Sequence, residues 1–391
     1  MQLSYIGQAF SQPTIYDLIF SCLPPPTIMR CGRTCRVIYV ATKDFNTRAY
    51  NINRHLSRFF NDPEGFRSLQ AQTAALISGS NALQFLDRSH YADSDLDVFV
   101  FAGTVREIGR WLINHEGYSF TPRPEQSPEF EKAAVEMSPV PGEPEAFEVH
   151  EAEYRSTGII GVHSFSKAPD LTIQLITTRR TPMDCILRFH STCVMNVIAF
   201  DAAYSLYPRA TFDLRRGLSL AHISPREAKA LAKYGARGWV IHSTIWPHEE
   251  DTLKPLFKVD VLRRMIDRDS WVIPFDTTDI TLRSPFNLSS PPFTEDPAAF
   301  SSWTLCGRTS LEYDMSYRFL SSTILKYDYV NDDPGFLEVM IAFFQKQGSL
   351  EHSKFRGLPK DVEAWTWWDA SLPGFYKAYL KRLEDRRMDE S

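Results

Sequence analysis

This sequence predicts an α+β protein, and three observations carry that expectation. Residues 96–101 (LDVFVF) are a strongly apolar run of strand length. Three more runs of strand type, FEVHEAEYR, GIIGVHSFSK and LTIQLITT, follow within residues 147–178. Around them lie stretches whose apolar residues recur at helical spacing, among them 15–23, 64–76 and 104–115.

Composition sets the outer limits. The 391 residues suffice for a large core and two or three structural units. A 43% hydrophobic and 13% aromatic content argues against wholesale disorder. The net charge of −5 gives no global attraction to nucleic acid or to an anionic membrane, so neither is an expected partner. Six cysteines without a CxxC pair fit free thiols in a reducing, intracellular setting, cytoplasmic or nuclear. Cys31 and Cys35 are expected as buried thiols on one helix face. No segment nears 18 uninterrupted apolar residues, and the amino terminus lacks a basic stretch followed by an apolar run, so a soluble chain is expected.

The elements follow in order. Residues 12–50 predict short helices: Ile15, Leu18, Ile19, Phe20 and Leu23 form a stripe, Pro24-Pro25-Pro26 ends it, and a second helix starts at Thr27. A connector leads to a helix over 64–75 with Phe66, Leu69, Thr73 and Leu76 inward. Thr104–His115 is amphipathic, with Val105, Ile108, Trp111 and Leu112 inward, Thr104 as N-cap, Glu107 completing a capping box and Gly117 as the stop. The Pro- and Glu-rich stretch 121–146 predicts an exposed, mobile insertion. Thr181-Pro182 opens a helix running through Phe189, and residues 191–212 read as a helix plus a turn. Ser224, Pro225 and Glu227 mark another helix start, 274–300 a long loop, and 333–347 and 372–387 two late helices. Residues 201–391 thus read as mainly helical or irregular, either a separate unit or an extension of what precedes.

Chemistry concentrates in residues 76–101. An apolar segment ends at Gly79-Ser80, and fourteen residues separate Ser80 from Asp95. Asp95 and Asp97 flank one leucine, so on a strand they project from one face about 7 Å apart. Two carboxylates so placed suit a hard divalent cation, Mg²⁺ or Mn²⁺. Gly79 lets a phosphate approach backbone N–H groups, and the Ser80 hydroxyl adds a further donor. Together these residues form a recipe for holding a nucleoside triphosphate and its metal. Asp93 reads as a loop cap. Arg179-Arg180, at a strand end, are candidates for phosphate contact, and Lys233, Tyr234, Arg237 and Trp239 for a nucleotide pocket or for the core. His190-Ser191 lacks the elbow and partner acid of a hydrolase.

The pattern Ser78-Gly79-Ser80, then Asp95-Leu96-Asp97, resembles the nucleotidyltransferase superfamily of polymerase-β type over roughly residues 65–200. That resemblance implies a mixed sheet flanked by helices, a glycine turn gripping the triphosphate, and metals on Asp95 and Asp97. It also implies a third carboxylate that activates an acceptor hydroxyl. Residues 12–50 resemble an F-box, which implies docking on the Skp-type adaptor of a cullin ubiquitin ligase; a plain helical hairpin is the alternative. With FHSTCVMN, this layout is similar to a group of fungal proteins. The expected organisation is therefore an F-box-like segment (1–50), a nucleotidyltransferase-like domain (51–200) and the region 201–391.

The third carboxylate position falls on Gln174 in LTIQLITT, and a neutral amide is neither a base nor a good cation ligand. Asp170, Glu148, Glu151 and Glu153 are the nearby substitutes. Two readings follow. One is a metal-dependent nucleotidyltransferase acting on an unidentified hydroxyl. The other is a non-catalytic fold of that type serving as an F-box adaptor.

Overall fold

The computed structural model describes residues 5–91, 94–136, 148–151, 158–220, 225–284, 295–307, 312–354 and 365–389. Its centre is one eight-stranded mixed sheet. The strands are β1 (Leu76–Ile77), β2 (Leu96–Phe101), β3 (Ser119–Thr121), β4 (Ile159–Lys167), β5 (Leu171–Thr178), β6 (Asn196–Ile198), β7 (Ala202–Ser205) and β8 (Trp271–Pro274). Their order across the sheet is β8-β7-β6-β1-β2-β5-β4-β3. Every neighbouring pair is antiparallel except β2 and β5, which run parallel and in register from Leu96–Ile173 to Phe101–Thr178.

Side-chain alternation along β2 and β5 sorts their residues between two layers. Leu96, Val98, Val100, Ile173 and Leu175 face the helices Pro63–Thr73, Gly79–Asp87 and Val105–Asn114, which bury Phe66, Leu69, Leu83, Leu86, Ile108 and Leu112 against them. Phe99 and Ile176 face the other way, onto Cys185 of the short helix Pro182–Leu187. The mixed sheet flanked by helices agrees with the α+β expectation. Beyond residue 200 the sheet still gains β7 and β8, so the region after 200 shares a sheet with the region before it.

Several local expectations need correction. Residues 191–212 are not a helix plus a turn: 196–205 is the β6–β7 hairpin, with a single-turn Thr192–Val194 helix before it and an Arg209–Asp213 turn of helix after it. Both faces of that hairpin are buried, so no alternation marks it as strand. The stretch 121–146 is not simply exposed: Phe130–Glu136 is a helix that buries Phe130, Ala133 and Ala134, and residues 137–147 lie outside the described set. The region after 201 carries more strand than expected. Ser302–Gly307 pairs with Leu262–Arg264 and Tyr313–Ser316, while Arg318–Ser321 pairs with Tyr329–Asn331 and with Glu148–Glu151. These strands of three to six residues are too short for a period to show. Its helices are Pro225–Ala236, Glu250–Phe257, Pro334–Lys354 and Leu372–Asp389; Ser224, the expected cap, lies outside the described residues. Thr104 does stand at the N-cap position of the Val105–Asn114 helix, but its hydroxyl makes no capping bond and instead donates to the Phe101 carbonyl at 3.0 Å. Leu76 belongs to β1, because Ala74 turns left-handed at φ 53° and ends the Pro63–Thr73 helix first.

The amino-terminal segment forms four short helices, Tyr5–Ala9, Pro13–Ser21, Pro25–Gly32 and Arg36–Ala49, around Tyr16, Phe20, Ile28, Ala41 and Phe45. Cys31 and Cys35 do not share a helix: half-buried Cys31 sits in the third helix against the small core, and exposed Cys35 precedes the fourth. Arg88, just past the Gly79–Asp87 helix, pins this segment. Its guanidinium donates to the carbonyls of Phe20 (3.1 Å) and Leu23 (2.5 Å) and lies over the Phe45 ring. Arg30 pairs with Asp213 at 2.7 Å.

Candidate functional site

The amino-terminal ends of β2 and β5 bring the predicted residues together. β1 is only two residues long, and the chain turns at Gly79 into the Gly79–Asp87 helix. That turn requires glycine: φ is +68°, and a Cβ there would lie 3.1 Å from Asp97 Oδ2. Ser78 braces the turn from behind, its hydroxyl donating to the Asn196 carbonyl on β6 at 2.5 Å. No side chain caps the helix, so its first N–H groups, carrying the positive end of the helix dipole, border Asp97. The turn therefore offers donors to an anion and a carboxylate to a cation, side by side.

Asp95 immediately precedes β2, and Asp97 is the strand's second residue. The register sets Gln174 of β5 opposite Asp97, where the third carboxylate was expected. Its amide Nε2 donates to Asp95 Oδ2 at 3.0 Å, so the glutamine holds that carboxylate instead of adding charge. Asp97 is half-buried. Burial first, and the neighbouring Asp95 carboxylate second, push its pKa up to about 7, against a lowering pull from Lys233. A divalent cation would relieve both effects at once.

The surroundings fix this geometry. Ser80 is buried, and its hydroxyl lies 3.0 Å from that of Ser94, which also accepts from Gln84 Nε2 at 2.7 Å. The Ser80 hydroxyl thus steadies the residue before Asp95 rather than serving as an unengaged phosphate donor; its backbone N–H is what the helix start offers. Gln84 Oε1 in turn accepts from the Tyr91 N–H at 2.7 Å. Arg237 stacks over Tyr91 with its guanidinium carbon 3.6 Å from the ring centre. Tyr234 and Trp239, weighed as nucleotide contacts, are buried core residues. Exposed Lys233 and the Arg237–Tyr91 stack are contributions from the Pro225–Ala236 helix and the residue after it that only the tertiary fold brings to the site.

Of the proposed substitutes for the third carboxylate, Asp170 is exposed ahead of β5 and the strand Glu148–Glu151 pairs with Arg318–Ser321 in a different sheet; Glu153, like the expected loop cap Asp93, lies outside the described residues. Among the described residues, no three His, Cys, Asp or Glu side chains converge as a metal cluster. The pair Asp95 and Asp97 still fits Mg²⁺, which commonly takes one or two carboxylates and completes its shell with water and substrate phosphates. No helix among the described residues is long and apolar enough to cross a membrane. No protein-family model matches this chain, and no curated protein or solved structure matches it significantly.

Proposed function

We propose that this protein binds a nucleoside triphosphate together with Mg²⁺ or Mn²⁺ in a pocket of nucleotidyltransferase type. Asp95 and Asp97 hold the cation, and the Gly79 turn receives phosphate oxygens on backbone N–H groups. The observation that carries this reading is the close approach of Gly79 and Asp97. A positive-φ glycine at an uncapped helix start sits against a carboxylate whose pKa is raised. A phosphate there alone would face the Asp97 charge, and a cation alone would leave the N–H groups unmatched, whereas a metal–phosphate unit satisfies both.

Transfer chemistry is weaker on this reading. Two metal ions would polarise the attacking and leaving oxygens in an in-line displacement, with positioning supplying most of the rate. Gln174 cannot take the acceptor's proton, so any transfer to a hydroxyl relies on solvent for that step. The test is Mn²⁺-dependent NTP binding by wild type and by Asp95→Ala/Asp97→Ala, with labelled nucleotide followed onto candidate acceptors. Binding abolished in the double variant supports the pocket, and label transfer extends it to an enzyme. Equal binding by the two proteins refutes it.

One observation favours a second reading, adaptor docking through residues 12–50. The helices there bury a small core yet leave Ile15, Leu18, Ile19, Met29, Tyr39 and Val40 exposed, Leu18 at 72%. An F-box-like contact with a Skp-type adaptor would cover such side chains. Leu18→Glu in the full chain should then abolish capture of the purified adaptor; capture by neither wild type nor variant rules the contact out.

A further inference from the structure

At the opposite, carboxyl-terminal ends of β2 and β5 lies a cavity of about 680 Å³. This size falls within the range of small-molecule sites. Its walls come from five separate stretches of chain, one of them Gln72 of the Pro63–Thr73 helix. Phe101 and the Ala102–Thr104 turn follow β2, Arg179 and Arg180 follow β5, Arg283 comes from the segment after β8, and Lys326 and Tyr327 precede the strand Tyr329–Asn331. Four cationic side chains therefore line it against two carboxylates, Glu107 and Asp328.

Three of the four cations are held by neighbours. Arg283 is 7% exposed; its Nη2 donates to the Tyr327 hydroxyl at 3.2 Å, its Nε to the Gln72 carbonyl, and its guanidinium lies 5.1 Å from the Tyr327 ring centre. The Lys326–Tyr327 turn is anchored by Asp369, which is fully buried and accepts from both backbone N–H groups and from the Tyr329 hydroxyl. Burial and the nearby Arg283 depress the pKa of Lys326, a sign of positive charge crowded into a desolvated place. Arg180 stacks on Phe319 and reaches Asp328 only at 3.5 Å, and Arg179 is exposed. Phe101 and Tyr327, 4.3 Å between ring centres, add an apolar wall.

We infer that this cleft is a second ligand site, for a small phosphorylated molecule whose phosphoryl oxygens engage Arg179, Arg180, Arg283 and Lys326 without a metal. Planar guanidinium groups from two directions suit the tetrahedral, multiply charged phosphoryl group better than a single carboxylate. The site stands apart from the Asp95–Asp97 pocket: Phe99, Ile176 and Cys185 pack between the two on the same face of the sheet.

The test is calorimetric titration of the full-length protein with pyrophosphate in EDTA, which silences any metal-dependent pocket. We expect saturable binding that Arg179→Ala/Arg180→Ala weakens at least tenfold and that Lys326→Gln also weakens. Asp95→Ala/Asp97→Ala should bind as wild type does, so failure here and failure of the nucleotide pocket are separable. No pyrophosphate binding overturns the inference, as does equal binding by wild type and the double-arginine variant. Binding of a phosphoserine peptide without pyrophosphate binding also overturns it, in favour of a protein partner.

Discussion

The two ends of the β2–β5 pair differ in one respect above all: the amino-terminal end gathers carboxylates and the carboxyl-terminal end gathers cations. At the first, Asp95 and Asp97 crowd together and Asp97 holds its proton to about pH 7. At the second, burial first and Arg283 second lower the pKa of Lys326. Four residue steps of extended chain, about 13 Å, lead from Asp97 to Phe101. Each end concentrates like charge that is only partly offset, by Lys233 at the first and by Glu107 and Asp328 at the second, and uncompensated charge away from water costs stability. The comparison sets the two proposed sites side by side: a cation with phosphate at one end, a bare anion at the other.

Four variants test that contrast, beginning with the largest effect. Asp369→Ala removes the acceptor for two backbone N–H groups and the Tyr329 hydroxyl, and should destabilise by about 3–5 kcal/mol in urea unfolding. A change below about 1 kcal/mol would mean the basic end is not rigidly anchored. Asp97→Asn should act in the opposite direction. The folded pKa near 7 exceeds the unfolded value near 3.9, so native Asp97 keeps a proton the unfolded chain has lost. Wild-type stability contributed by this group is therefore greatest below about pH 4, falls as pH rises to about 7, and then levels. The variant lacks that decline and should be more stable at pH 8 by about 1–3 kcal/mol, allowing for relaxation. Asp296, buried beside Asp201, titrates in the same window, so the wild-type minus variant difference is the quantity to plot. A flat difference would break the contrast at its acidic end.

Gln174→Glu sharpens it. The substitution exchanges a donated hydrogen bond for a third negative charge, and should cost about 1–2 kcal/mol in EDTA while strengthening Mn²⁺ binding about tenfold or more. Weaker Mn²⁺ binding would show that the amide is needed to aim Asp95. The smallest effect belongs to Arg179→Ala/Arg180→Ala, whose unliganded stability should stay within about 0.5 kcal/mol of wild type. A larger loss would make these arginines structural.

The acidic end was legible because its signals are local. A positive-φ glycine, a two-residue carboxylate spacing and a strand whose fourth residue is Gln174 can all be read along the chain, and the parallel register aligns them as that pattern requires. The basic end was legible only in part. Arg179-Arg180 stood out, but Arg283 and Lys326 arrive from more than 100 residues away, and no local pattern predicts their meeting. Lys233 and Arg237 came to the acidic site by the same tertiary route. The β6–β7 hairpin was misread for a different reason. Complete burial removes the polar–apolar alternation that reports a strand, so a helix and a buried hairpin look alike.

The nine-residue Gly79–Asp87 helix has its first residue against the Asp97 carboxylate and its capping Arg88 on the carbonyls that close the Pro13–Ser21 helix. A helix of that length is a stiff rod of about 13 Å. One of its ends lies in the Gly79 turn and the other against the amino-terminal helices. A tilt that tightens the turn around a ligand must shift the Arg88 end as well. On the proposed reading, a shift at the carboxylate pair would reach the amino-terminal helices through this one rod.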